Sequence, residues 1–474
     1  MDNDDIDLLS IERGAVTAPA GCGKTQLIAS ALGRHSGPKP ILVLTHTNAG
    51  VAALRARLER SNVSPRSYRL STIDGWAMRI IRTFPARSAH DPGILNLERP
   101  RSDYPQILAA ALNLLEGHHI HDILSSSYAA LIVDEYQDCT RVQHALLTHV
   151  ADVLSSSILG DPMQAIFGFA GNELAAWDQV CSYFPIVGAL NIPWRWNNAN
   201  AALLGQWLLD VRNKLVRGEP IDLRAAPAAV TWVELDGSDD HRKRIAAGNI
   251  RPNTVDGKVL VIGDSTNPEG QRRFASQIHG AVAAEAVDLR DLVAFATQFD
   301  LAKTSALQVL VEFAQRVMTN VGAADLLQRV QSLTRGTARK APNEVEAIAL
   351  TFVKAPSYTG AAELLVEINK QAAVRAHRPT ILRAAVKALQ LCQGQDGTEL
   401  YAAAVQMREE GRRIGRPLSR CTVGSTLLLK GLEADVAVIL DADQLDAPNL
   451  YVAMTRGATR LVVCSQAPVL RPRP

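Results

Sequence analysis

A loop near the start of the chain has the residue types that bind nucleotide phosphates. Residues 18–25 (APAGCGKT) follow a short apolar stretch and precede a helix-like run. Glycines at this spacing let backbone N–H groups turn inward around phosphate oxygens, the lysine reaches the β- and γ-phosphates, and the threonine hydroxyl binds Mg²⁺. The residues predicted to bind ATP in this loop are Ala20, Gly21, Cys22, Gly23, Lys24 and Thr25. This pattern predicts a P-loop ATPase with ATP and Mg²⁺ as cofactors.

An apolar run that ends in two adjacent acids offers the second part of an ATP site. Asp134 and Glu135 directly follow the apolar residues 131–133. One carboxylate can hold Mg²⁺ while the next activates the attacking water. An acidic strand end alone is more often a helix N-cap or a solvated turn, and only the P-loop reverses that interpretation. We predict that Asp134 and Thr25 hold the metal and that Glu135 is the general base.

Short apolar runs that alternate with helix-like stretches must position these residues. This alternation is typical of parallel strands covered by crossover helices and predicts an α/β fold. The first set of predicted strands spans residues 41–45, 68–72, 130–134, 157–160 and 187–190. The second set spans residues 230–235, 259–263, 421–426, 436–441 and 461–465. Two α/β domains follow, with helical insertions where strand signals are missing.

With the two phosphate elements placed, the chain resembles the UvrD/Rep type of superfamily 1 helicases. The order of the motifs carries the resemblance. Residues 45–54 resemble motif Ia, residues 71–76 motif Ib, residues 134–138 motif II and residues 160–169 motif III. Residues 193–196 fall at motif IV, residues 430–436 resemble motif V and residues 451–456 resemble motif VI. The sequence departs from the family in Asp74 and Leu427, which stand at histidine positions, and in lacking the glutamine that precedes the P-loop.

The resemblance implies two RecA-like P-loop NTPase domains with short helical insertions, and an ATP site in the cleft between the two domains. The implied first domain covers residues 1–84 and 128–192, with an insertion at 85–127. The implied second domain covers residues 193–280 and 415–474, with an insertion at 281–414.

The resemblance also implies roles for individual side chains. Arg195 and Arg456 would stabilise charge on the γ-phosphoryl group, which is where arginines act in phosphoryl transfer. Gln164 would lie near the γ-phosphate, and Glu433 would contact the ribose. The implied DNA-binding candidates are Thr45, His46, Thr72, Trp76, Phe167, Phe169 and Thr426. For Trp76, burial in the core is an equally good interpretation.

Composition neither requires nor excludes a nucleic-acid partner, because 50 Lys and Arg stand against 48 Asp and Glu. No apolar run approaches the roughly 20 residues of a membrane span, so we expect no membrane partner and a cytoplasmic protein. The six cysteines form no C-x-x-C pair, so no zinc site or disulfide framework is indicated.

Together these features predict an ATP-dependent translocase or helicase on single-stranded DNA, moving 3′ to 5′ as its family does. The alternative is an ATP-gated DNA-sensing protein that regulates a partner effector without processive unwinding. In its compact size the chain also resembles the helicase subunit of Gabija-type phage-defence systems. A nuclease or a repair factor is the expected protein partner.

Overall fold

Parallel strands with continuous apolar sequences form the centre of both sheets. The computed structural model describes residues 6–168, 173–286, 288–392, 397–413 and 419–473. The strands are β1 (Arg13–Thr17), β2 (Ile41–Thr45), β3 (Tyr68–Thr72), β4 (Leu131–Val133), β5 (Ser156–Gly160), β6 (Ile186–Ala189), β7 (Ile221–Asp222), β8 (Val230–Glu234), β9 (Val259–Ile262), β10 (Ala281–Ala283), β11 (Met318–Thr319), β12 (Arg375–Ala376), β13 (Cys421–Gly424), β14 (Ala434–Ile439), β15 (Gly457–Ser465) and β16 (Val469–Leu470).

Helices connect these strands and form the two insertions. They are α1 (Lys24–Arg34), α2 (Asn48–Arg60), α3 (Ile73–Thr83), α4 (Pro85–Ser88), α5 (Pro100–Glu116), α6 (His121–Ser127), α7 (Arg141–Ala151), α8 (Trp177–Tyr183), α9 (Trp194–Asn198), α10 (Ala202–Val216), α11 (Asp240–Gly248), α12 (Pro268–Gln277), α13 (Arg290–Gln298), α14 (Ala306–Val317), α15 (Ala323–Thr334), α16 (Glu344–Lys354), α17 (Tyr358–Lys370), α18 (Pro379–Leu391), α19 (Gly397–Arg413), α20 (Thr426–Leu429) and α21 (Ala447–Met454). Among the described residues, no helix is long and apolar enough to cross a membrane.

The chain divides into two units, residues 1–234 with 442–474 and residues 235–441. The first unit contains a parallel sheet in the order β3-β2-β4-β5-β1-β6. Strands β2, β4 and β5 are buried along their whole length, as expected when helices cover both faces of a parallel sheet. Because all six strands run the same way, their carboxyl ends lie along one edge, where ligands bind in open α/β sheets.

The second unit contains strands in the order β10-β13-β9-β14, and in the first unit β15 pairs with β8. The pairs β10-β13, β13-β9, β9-β14 and β15-β8 are all parallel. The predicted α/β class with two RecA-like parallel sheets is therefore confirmed. The predicted boundaries of the four domain segments stay a prediction.

Helices fill the two stretches in which insertions were expected. In the first, α5 packs against α3 and α7 and shares their apolar core. In the second, α13 to α19 surround a separate core that contains the stacked rings of Phe295, Phe299 and Phe313. Three short strands also lie within 281–414, namely β10, β11 and β12. Sequence patterns did not predict them, because two or three residues are too few to show an alternation.

Candidate nucleotide site and nucleic-acid interface

The P-loop takes a backbone conformation that only glycine adopts easily. Gly21 has φ +70° and Gly23 has φ +92°, both in the left-handed region. Helix α1 begins at Lys24, and no side chain caps its first N–H groups. Those N–H groups and the helix dipole favour an anion at this position. The predicted loop residues therefore form a cradle that fits nucleotide phosphates.

Lys24 lies between the two predicted acidic residues. Its Nζ is 3.2 Å from Oδ1 of Asp134 and 2.5 Å from Oε1 of Glu135. Burial opposes the charge on Lys24, but the two carboxylates outweigh burial and raise the pKa of the ammonium. Burial raises the pKa of Asp134 above its usual value, Lys24 opposes this, and Glu135 adds to it. The hydroxyl of Thr25 and the carboxylate of Asp134 are the oxygen ligands that Mg²⁺ prefers, so this donor set fits the metal.

Glu135 is held in an unusual backbone conformation. Its φ of +58° is uncommon for a residue with a side chain, and such strain concentrates at functional sites. The N–H of Glu135 donates to Oδ1 of Asp134 over 3.0 Å. The Glu135 side chain remains 31% exposed, whereas that of Asp134 is 9% exposed. The two neighbouring acids thus differ in access to water.

A buried polar network joins this acid pair to Gln164. Gln137 donates to Glu135 through Nε2, and its Oε1 accepts from the N–H of Asp161 over 3.1 Å. The Asp161 carboxylate, which has no exposed surface, accepts from Nε2 of Gln164 over 3.1 Å. Arg212 on α10 donates to Oδ1 of Asp161 from Nε (3.0 Å) and Nη2 (2.6 Å). Sequence reasoning assigned no role to Gln137 or Arg212; the former lies inside the helicase motif at 134–138, and the latter has no sequence signal.

The two predicted arginines converge on Thr455. Nη1 of Arg195 donates to the carbonyl oxygen of Thr455 over 2.6 Å, and Nη2 of Arg456 donates to its hydroxyl over 3.0 Å. The N–H of Arg195 also donates to the carbonyl of Gly21 in the P-loop over 3.0 Å. Arg456 is 3% exposed and donates a further bond to the carbonyl of Val452. The structure therefore brings both arginines into one polar cluster and places Arg195 beside the phosphate cradle.

Two aromatic residues that the sequence did not single out also lie against the P-loop. The buried hydroxyl of Tyr451 accepts from the N–H of Ala20 over 3.2 Å. Burial raises the pKa of Tyr451 well above its usual value, so the hydroxyl keeps its proton. Trp194 is 41% exposed, and a Cβ built on Gly23 would lie 2.9 Å from its Cδ1. A large exposed aromatic surface therefore lies beside the loop.

The DNA-binding candidates of the first unit lie at the carboxyl edge of its sheet. Thr45 and Thr72 end the neighbouring strands β2 and β3 and face each other in register. The rings of His46 and Phe167 are 5.7 Å apart and tilted by 44°. The structure thus brings together residues separated by more than one hundred positions in the chain.

Other candidates are placed differently. Trp76 is fully buried in the core of the first unit, which favours the core interpretation over stacking. Phe169 lies outside the described residues. In the second unit, Thr426 is buried at the start of α20, and Glu433 is exposed just before β14.

Comparisons with known proteins found the following similarities. Residues 95–184 match the family model of the UvrD/REP helicase N-terminal domain. A segment of 71 residues is 33% identical to a subunit of an ATP-dependent helicase/nuclease of Leuconostoc mesenteroides subsp. mesenteroides, covering 15% of this chain and 6% of that protein. A crystal structure of the Pif1 helicase from Candida albicans aligns with 13% identity and a TM-score of 0.40, covering 96% of this chain and 91% of that chain.

Proposed function

Because the chain resembles the UvrD/Rep type of superfamily 1 helicases and matches the family's N-terminal domain model, we propose that it hydrolyses ATP to move along single-stranded DNA. One observation carries the proposal. Lys24 lies between Asp134 and Glu135 directly after a P-loop whose glycines have the required backbone conformation. This arrangement is the hydrolytic half of a P-loop motor.

Each side chain has a role that its position supports. Thr25 and Asp134 would hold Mg²⁺, which would neutralise charge on the bound phosphates. Lys24 binds those phosphates once they displace its two carboxylate partners. Glu135 then holds the attacking water, because it is the more exposed of the two acids. Arg195 stabilises the charge that develops on the γ-phosphoryl group.

Gln164 and Arg456 complete the proposed catalytic set. Gln164 reports the state of the γ-phosphate, because hydrogen bonds through Asp161 and Gln137 connect it to Glu135. Arg456 acts beside Arg195, with which it shares Thr455 as a hydrogen-bond acceptor. Glu433 is proposed to contact the ribose, as the family resemblance implies.

Trp194 is proposed to supply an adenine contact. Its exposed ring lies against Gly23, the residue that precedes the proposed phosphate-binding lysine. Stacking of a base on an aromatic ring is worth about 1 to 3 kcal/mol and does not depend on a hydrogen-bonding pattern.

Single-stranded DNA is proposed to cross the carboxyl edge of the first sheet. His46 and Phe167 offer adjacent rings there, while Thr45 and Thr72 lie at the ends of neighbouring strands. Thr426 is proposed to contribute from the second unit. The proposed direction is 3′ to 5′, and the proposed setting is the cytoplasm, beside a nuclease or a repair factor.

The alternative function is a DNA-sensing ATPase that controls a partner effector. The name of the matched relative, which is part of a helicase/nuclease, favours a partner of the nuclease class. A sensor would couple DNA binding to hydrolysis without separating strands. Strand displacement on a tailed duplex therefore distinguishes the two functions.

The deciding experiment measures steady-state phosphate release with and without single-stranded DNA at low salt. We expect strong stimulation in the wild type and its loss in Glu135→Gln. Glu363→Gln, which makes the same chemical change at an exposed position of α17, should behave as the wild type. A hydrolysis rate indifferent to DNA would refute the motor, and stimulation without displacement of a 3′-tailed duplex would select the sensor.

A further inference from the structure

A wide polar groove lies on the second unit, lined mainly by α12, the end of α14 and the segment before β12. Its volume is about 1240 Å³. Small-molecule sites usually have volumes of roughly 300 to 1,000 Å³, so this groove is larger than a single small ligand needs. Its charged lining residues are Arg272, Arg273, Arg316, Arg375, Glu269 and Glu312. Four arginines against two glutamates give the groove a positive balance.

Two of these arginines are already engaged within the protein. Arg272 lies 3.4 Å from Glu269 and 2.9 Å from Asp291. Arg375 donates from Nη2 to three carbonyl oxygens at the end of α12, over 3.0 to 3.1 Å. These contacts neutralise the negative end of that helix and build a rigid wall of the groove.

The other two arginines are exposed and lack such partners. Among the residues that the structure describes, neither Arg273 nor Arg316 forms a salt bridge within 4.0 Å. Both line the same groove from different helices, α12 and α14. A planar guanidinium binds a phosphate through two parallel hydrogen bonds, so the pair offers two phosphate contacts.

A buried histidine lies in the groove wall. His377 is 5% exposed, and within the described part of the chain its Nδ1 has no partner. Burial, together with Arg378 and Arg375, lowers the pKa of His377 to about 4. The ring is therefore neutral near pH 7 and adds no charge to the groove.

We propose that this groove binds the phosphodiester backbone of nucleic acid at a second contact, separate from the ATP site. The inference rests on the proposed nucleic-acid function. Serine, threonine, asparagine and glutamine side chains make up much of the remaining lining, and these residue types bind phosphate oxygens. Only Met318, Ile278 and a few small residues are apolar, which is too little for the core of a protein interface. Contacts from these residue types to phosphate oxygens carry no sequence information directly.

The test compares wild type with the double variant Arg273→Gln plus Arg316→Gln by fluorescence anisotropy. One arm uses a labelled single strand and the other a labelled duplex, each titrated from low to high salt. We expect at least a tenfold loss of affinity at low salt in one or both arms. The slope of log K against log salt should become shallower by about 1.4 for a single strand or about 1.8 for a duplex, because two phosphate contacts disappear.

The matched control is Arg383→Gln, which removes the same charge from an exposed position of α18 outside the groove. Loss in only one arm identifies the bound form of nucleic acid and supports the proposal. Unchanged affinity and slope in both arms, or an equal loss in the control, would overturn it. DNA-stimulated ATPase of the wild type is measured in parallel. If DNA stimulates the wild-type ATPase while the double variant binds nucleic acid normally, only the groove proposal is refuted. If DNA does not stimulate the ATPase while the double variant binds weakly, only the motor proposal is refuted.

Discussion

The buried ion pair between Asp161 and Arg212 should be required for both stability and coupling. The Asp161 side chain has no exposed surface, and that of Arg212 is 12% exposed. Burial opposes the charge of Arg212, but Asp161 outweighs it and raises the pKa of the guanidinium. The substitution Arg212→Met removes the cation but fills most of its volume. Within the described part of the chain, the donors that remain to the Asp161 carboxylate are then the N–H of Met163 and Nε2 of Gln164, both neutral.

The expected loss in the free energy of unfolding follows from the burial of the ion pair. Removing one partner of a buried ion pair typically costs about 3 to 5 kcal/mol, because the other charge remains uncompensated. Neutralising both partners, with Asp161→Asn added to Arg212→Met, should cost less than the sum of the single changes. We expect a coupling of at least about 1 kcal/mol in this double-mutant cycle. The single variant should also lose DNA stimulation of hydrolysis, because Asp161 anchors Gln164.

Urea unfolding, followed by tryptophan fluorescence, measures the free energy of unfolding of the four proteins in the cycle. The matched control is the exposed pair Asp222 and Arg224, whose side chains are 39% and 64% exposed at a distance of 2.7 Å. Arg224→Met should shift the unfolding midpoint much less than Arg212→Met, since solvent screens an exposed pair. Additive losses in the Asp161 and Arg212 cycle, within about 0.5 kcal/mol, would refute this reasoning. So would a loss in Arg212→Met no larger than in the control.

Two further predictions follow from the site and the groove. Trp194→Ala should raise the KM for ATP by about 5- to 150-fold, the equivalent of one stacked base, whereas Trp194→Phe should keep most of the affinity; an unchanged KM in the alanine variant would exclude stacking. His377 should make stability fall below neutral pH, because Arg378 and Arg375 add to burial in lowering its folded pKa to about 4 from an unfolded value of 6.5. The unfolded state binds the proton first as the pH falls. The free energy of unfolding of the wild type should therefore fall by about 2 kcal/mol between pH 7 and pH 5 relative to His377→Gln. Equal losses of unfolding free energy in the two proteins, measured by urea unfolding, would contradict this.

Local sequence patterns were sufficient for the chemistry of phosphate binding. A P-loop consists of consecutive residues, and the acid pair directly ends a short apolar strand. In both cases the backbone itself orders the functional groups, so residue type and spacing carry the information. The same holds for the long buried strands, whose continuous apolar runs predicted a parallel sheet. The short strands β10, β11 and β12 have no comparable pattern and were found only in the fold.

Tertiary structure decided which side chains surround that chemistry. The hydroxyl of Tyr451 reaches the N–H of Ala20 across most of the length of the chain, and Arg212 reaches Asp161 from a different helix. Neither pair has a local spacing that sequence could show. Burial likewise placed Trp76 in the core, although its type fitted a stacking role equally well. Sequence alone determined the elements that are continuous in the chain, whereas contacts between distant segments exist only once the sheet edge has brought them together.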